Sequence, residues 1–160
     1  MIPHRIMIHH SLTVDSQTVS TSAIRRWHTG QIGQSNPNLP NYNYYVLHPM
    51  KEIGYHTLVE LVNDYYEIIM GRMFDEQGAH VRAHNQDSLS VCCIGDFDNN
   101  EVPPEQWNKA VQLVTSLCHQ FMIPTDRVKG HNEYDPSKTC PGMNFNMDGF
   151  RLQVGQGLKF

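Results

Sequence analysis

Three short stretches of this 160-residue chain concentrate side chains that bind metals or move protons. They are His9-His10-Ser11, Ile53-Gly54-Tyr55-His56, and Gly130-His131 followed by Lys138-Thr139-Cys140-Pro141-Gly142. In the third, a histidine and a thiol sit among Gly130, Pro136, Pro141 and Gly142, residues that fix a backbone without regular structure. Neutral imidazole and thiolate are both good zinc ligands, which makes His131 and Cys140 a candidate metal pair. In a chain with ten histidines that spacing is not specific by itself. His9 adds to it, because it ends the apolar run Ile6-Met7-Ile8, and α/β sheets build their sites at strand carboxyl ends. His10 faces the other way, since neighbouring strand residues alternate between faces. Taken singly, each residue also has a plainer reading. His9 is a hydrogen-bonded core or sheet-edge histidine, Tyr55 a core tyrosine, and Lys138 a solvated loop charge.

The elements that must position these residues are readable from pattern. Residues 5–9 form a buried strand. Ser20, Thr21 and Ser22 are N-cap candidates for a short helix over 23–27, which Gly30 ends. Residues 31–43, rich in Gln, Asn, Pro and Gly, form a loop. Residues 54–62 and 65–70 pair as strands across a tight Asn63-Asp64 turn, and 89–94 is a further apolar strand. Pro104 opens a helix whose apolar stripe is Trp107, Val111, Val114, Cys118 and Phe121, and Pro124 stops it. One or two helical turns follow around 145–152. Strands interleaved with helices predict an α/β domain with a central sheet, and with no repeat or linker visible, residues 1–160 read as one domain.

Composition bounds the function. Hydrophobic content of 39% and charged content of 18% describe an ordinary globular chain. A net charge of −4 without any basic run excludes a nucleic-acid partner, because phosphate binding needs clustered Lys and Arg. No segment has the apolar length to span a bilayer, so membrane insertion is not expected. The start, Met1-Ile2-Pro3-His4-Arg5, lacks the apolar core of a secretory signal, so the expected place of synthesis is a cytoplasm. There a disulfide for Cys140 is disfavoured against metal binding or catalysis. Cys92 and Cys93 point to opposite faces of one strand, and Cys118 falls on an apolar helix face, so these three read as structural.

In order along the chain, Ile6-Met7-Ile8-His9-His10-Ser11, Ile53-Gly54-Tyr55-His56, Gly78-Ala79-His80-Val81 with His84-Asn85, and Gly130-His131 with Lys138-Thr139-Cys140-Pro141-Gly142 resemble the zinc N-acetylmuramoyl-L-alanine amidase family. That family includes amidase-type phage lysozymes and peptidoglycan recognition proteins. The resemblance spans residues 5–142. It implies a central mixed β-sheet flanked by helices, and one Zn²⁺ held by His9, His131 and Cys140 with a water in the fourth position. It matches Tyr55 and Lys138 to the positions that assist catalysis, and it suggests His10, His56, His80, Asn85 and Thr139 as substrate contacts. The implied reaction is hydrolysis of the amide between N-acetylmuramic acid and L-alanine, with bacterial peptidoglycan or a muropeptide as partner and a monomer as the working form. The enzyme would act on the wall after release, as a phage endolysin, a recycling enzyme or a secreted effector would.

Asn132-Glu133 follows His131 where many relatives carry Arg-Asp, and the Glu keeps a carboxylate that can order the loop. Tyr42, Tyr44 and Tyr45, in the long loop over 31–49, are candidate groove residues. Two other readings stay open. One is a recognition module that holds wall fragments without cutting. The other is a zinc-stabilised structural protein, in which His56, His80 or His84 closes the metal as a fourth ligand.

Overall fold

The computed structural model describes residues 1–13, 20–31 and 47–159. The candidate groove residues Tyr42, Tyr44 and Tyr45 lie outside them. In chain order the elements are β1 (Arg5–His10), α1 (Thr21–His28), β2 (Thr57–Val62), β3 (Tyr65–Met70), β4 (Ser88–Cys93), α2 (Pro104–Phe121), β5 (Val128–Gly130) and α3 (Met147–Gly157). Single 3₁₀ turns, Thr125–Arg127 and His131–Glu133, flank β5. The sheet order is β3-β2-β4-β1-β5, with β1, β2, β4 and β5 parallel and β3 antiparallel at one edge. This is the central sheet that the residue pattern predicts, and the mixed, helix-flanked form that the family resemblance implies.

Strand alternation divides the interior in two. Ile6 and Ile8 of β1, with Leu89, Val91 and Cys93 of β4, pack against α2 and α3. On the opposite face Leu58 and Cys92 meet Ile24 and Trp27 of α1. Cys92 and Cys93 therefore serve separate cores, as adjacent strand residues must. The α1 face carries the smaller cluster, and His9 lies on that face at the end of β1.

α1 starts at Thr21, with the Ser20 hydroxyl accepting from the Ala23 N–H at 3.3 Å. The buried Glu60 carboxylate of β2 accepts from the Thr21 N–H at 2.6 Å and from its hydroxyl, clamping the helix to the sheet. β2 begins at Thr57 rather than at 54. The preceding backbone is engaged elsewhere: the Gly54 N–H donates to His28 Nδ1 (2.9 Å), the Ala79 N–H donates to the Gly54 carbonyl (2.9 Å), and the His56 N–H donates to Ser90 Oγ (3.0 Å). Residues 53–56 are thus a strap across the sheet end, and Tyr55 rides on it.

Pro104 opens α2 and Met122, in the left-handed region at φ 54°, closes it. The fully buried line is Gln106, Ala110, Leu113, Val114, Leu117 and Cys118, turned from the predicted stripe. Trp107, Val111 and Phe121 lie on its flank, where Trp107 meets Phe145 and Phe150. Gln106 is buried because its amide donates to the carbonyls of Val59, which also takes the Ile94 N–H, and of Ile94, so the side chain bridges β2 to the end of β4. α3 is longer than predicted. Gly149, Gly155 and Gly157 each weaken a helix by about 0.8–1 kcal/mol, but burying Phe150 and Val154 contributes about 1.5–3 kcal/mol apiece. Tertiary burial wins over propensity.

Candidate metal centre

β1 delivers His9 to the end of the sheet, 1% exposed and in register with Cys92 on the α1 face. β5, too short to show a period in sequence, pairs with β1 and ends at Gly130, opposite Ile8, so His131 emerges beside His9. Its turn is held by Glu133, whose carboxylate accepts from the Gly130 N–H at 2.6 Å and from Arg151 at 2.9 Å. The carboxylate expected to order this loop does so.

Cys140 comes from the following loop, which is tied on both sides. The Asn132 N–H donates to the Cys140 carbonyl at 2.8 Å. Asp98 accepts from the Thr139 hydroxyl at 2.6 Å and from the Met143 N–H at 3.0 Å. Gly142 has φ +118°, and a Cβ there would lie 2.6 Å from the Phe97 backbone, so no other residue lets the loop sit so close.

The result is a cluster in which one donor atom each of His9, His131 and Cys140 lies within 4.8 Å of the others. It is the only such group among the described residues. Cys140 Sγ stands 3.4 Å from His9 Nδ1 and accepts the His10 backbone N–H at 3.4 Å. A tetrahedral zinc with bonds of about 2.0 Å to nitrogen and 2.3 Å to sulfur sets those two atoms roughly 3.5 Å apart. The observed pair fits.

The electrostatics fit as well. Burial, reinforced by His80, His131 and His10, holds His9 well below its ordinary 6.5. Burial also lowers His131, with Asp135 opposing. Burial pushes the Cys140 thiol up to about 12, against the His10 N–H bond. Both imidazoles are therefore in the neutral, ligating form, and a cation that displaces the thiol proton completes an N₂S donor set. His56 does not join them. Its Nδ1 accepts from the Ser90 N–H at 3.1 Å, its Nε2 lies 3.0 Å from the Glu76 carbonyl, and the residue is fully buried. His84 is likewise engaged, by Arg5 and by stacking on Tyr134. The described donor set has three protein ligands, as in catalytic zinc sites, rather than the four of structural ones.

The cluster opens into a cleft of 230 Å³ also bordered by Tyr55, Lys138, His10, His80 and Thr139. Tyr55 stacks obliquely on His9, ring centroids 5.2 Å apart. Lys138 is exposed at the mouth. Of the five side chains suggested as substrate contacts, His56 and Asn85 are not brought to the cleft. Asn85 instead accepts the N–H groups of His80 and Val81 at 2.8 and 2.9 Å. His28 is a cleft residue that sequence reasoning missed. It sits in the last turn of α1, where a basic residue needs no functional reason, and its place in the cleft comes from the Gly54 strap it anchors.

The family model for N-acetylmuramoyl-L-alanine amidase matches residues 1–143. The endolysin of Escherichia phage T7 is 26% identical over 146 residues, covering 87% of this chain and 80% of that protein. The endolysin and N-acetylmuramoyl-L-alanine amidase LysCS from Clostridium intestinale superposes with a TM-score of 0.72 at 21% identity, over 96% of this chain and 84% of that one. Drosophila PGRP-LB, solved in complex with tracheal cytotoxin, superposes with a TM-score of 0.67 at 22% identity, over 91% and 79% of the two chains. These structures share the fold, and the family match, spanning both histidine donors and Cys140, makes the chain a member of the N-acetylmuramoyl-L-alanine amidase family.

Proposed function

We propose that this protein hydrolyses the amide bond between N-acetylmuramic acid and L-alanine in bacterial peptidoglycan, with one zinc ion held by His9, His131 and Cys140. The observation that carries the reading is the three-donor cluster at the floor of a cleft bordered by Tyr55 and Lys138. When bound, zinc supplies a Lewis acid that polarises the amide carbonyl and acidifies a ligating water towards a pKa of about 7.

The chain's own groups supply the rest. Lys138, two residues from Cys140, carries a cationic donor at the cleft mouth for the negative charge that develops on the attacked carbonyl oxygen. Tyr55 is fixed by its strap beside His9, with its side chain hydrogen-bonded to the Cys92 thiol; turned from that thiol, its hydroxyl would orient the attacking water or donate to the same oxygen. The amine that leaves must gain a proton, and Lys138, Tyr55 and a water are candidate donors. His10 and Thr139 border the cleft as candidate substrate contacts.

Lys138→Ala is expected to lower kcat by about 10²–10³-fold, the range for loss of one preorganised oxyanion donor, with zinc content and thermal midpoint unchanged. Near-normal turnover would remove Lys138 from the reaction.

The direct test is digestion of purified peptidoglycan with and without a zinc chelator, followed by mass spectrometry. Free stem peptides with a new L-alanine amino terminus, lost with chelator and restored by zinc, are expected. Intact wall recovered with the zinc-loaded protein bound to it would mean a recognition module instead.

A further inference from the structure

We propose that His80 is a positioning residue that fixes the tautomer and orientation of the metal ligand His9. This rests on the zinc reading above and adds a role to a residue outside the three-donor set.

His9 Nδ1 faces Cys140 Sγ at 3.4 Å, so with zinc held between these two atoms the other ring nitrogen, Nε2, carries the proton of the neutral imidazole. That Nε2 lies 3.2 Å from His80 Nδ1, with the two rings edge to face. His80 Nδ1 must therefore accept, which places the His80 proton on Nε2. There Ser88 Oγ stands at 3.5 Å, and the Ser88 hydroxyl in turn donates to the His84 carbonyl at 2.5 Å. The run His9–His80–Ser88 thus has one self-consistent proton arrangement, and it ends on a backbone carbonyl that can only accept. Metal-binding histidines ordinarily donate their second N–H to a carboxylate or carbonyl, and the partner holds the ring and raises its basicity. Here an imidazole takes that place.

The surroundings are built to hold His80 in this pose. Asn85 Oδ1 accepts both the His80 and Val81 N–H groups, and the Ala79 N–H is bonded to Gly54. A Cβ on Gly78 would lie 2.4 Å from His80 Cδ2 and 2.9 Å from His56 Cε1, so the glycine is what lets both rings seat. With Nδ1 on His9 and Nε2 towards Ser88, both ring nitrogens of His80 are engaged within the protein. That assigns it to the ligand behind the metal rather than to substrate.

The test compares zinc dissociation constants, by competition with a chromophoric chelator, for the wild type and the variants His80→Ala, His80→Asn and Cys140→Ser. Asn Oδ1 reproduces an acceptor at the Nδ1 position, while Ala removes it. His80→Ala is expected to weaken zinc binding 10–100-fold, and His80→Asn to recover to within about threefold of wild type, as a restored second-sphere acceptor should. In the wild type, ¹⁵N ring shifts should report His80 protonated at Nε2 and bare at Nδ1. Wild-type affinity in His80→Ala, or equal losses in the Asn and Ala variants, would overturn the proposal while Cys140→Ser still showed that the zinc site stands. Zinc binding absent from the wild type, or indifferent to Cys140→Ser, would overturn the zinc reading itself and this inference with it.

Discussion

Cys140→Ser is expected to abolish wall digestion and to weaken zinc binding by more than the roughly 10–100-fold that loss of an outer partner produces. Serine has nearly the shape of cysteine, so the loop held by Asp98 and Asn132 keeps its anchors, and the His10 N–H keeps an oxygen to donate to. What changes is ligand chemistry. A zinc ion can take the proton from the Cys140 thiol even though burial holds it up to about 12, whereas a serine hydroxyl remains neutral and hard. Two imidazoles then remain, too few for a stable site. Metal analysis of the purified variant beside a muropeptide release assay checks this. Stoichiometric zinc with wild-type turnover in the serine variant would take Cys140 out of the donor set.

The second large effect is on stability in acid. Burial, with Arg72 adding to it, lowers His28 to about 4, and burial with His56 next lowers His80 to about 3. His56 and His10 shift the same way. In the unfolded chain each titrates near 6.5. Between pH 6.5 and the folded values the unfolded chain holds more protons than the folded one, so the stability present above 6.5 is lost as pH falls. At pH 5 the loss is about 2 kcal/mol for each of His28 and His80, or about 4 kcal/mol for the two, at 1.36 kcal/mol per unit. Against a typical total of about 5–15 kcal/mol this is decisive. Urea unfolding of the metal-free protein at pH 7 and pH 5 should show at least that drop, with at least about two protons taken up on unfolding at the lower pH, since the other lowered histidines add to both. Equal unfolding free energies at the two values would mean that these histidines are not held neutral.

Much of this protein was legible in its residues. The apolar run ending at His9, the Asn63-Asp64 hairpin and the Pro104 helix each declare themselves through a local pattern, because strand alternation, turn chemistry and helix period act over a few neighbours. Four motifs in order identified the family and proposed His9, His131 and Cys140 together. Tertiary structure decided what has no local pattern. β5 is three residues long and shows no period, yet its pairing with β1 is what brings His131 to His9. The buried face of α2 was set by the sheet it packs on, and α3 by the burial of Phe150. His28 reached the cleft through a strap from a distant loop, while His56, equally prominent in sequence, was drawn inward by Ser90 and Glu76. His80 and His9 stand 71 positions apart and meet at 3.2 Å. A sequence pattern reports the company a residue keeps along the chain, whereas a proton's place on an imidazole depends on which atom the fold sets against it.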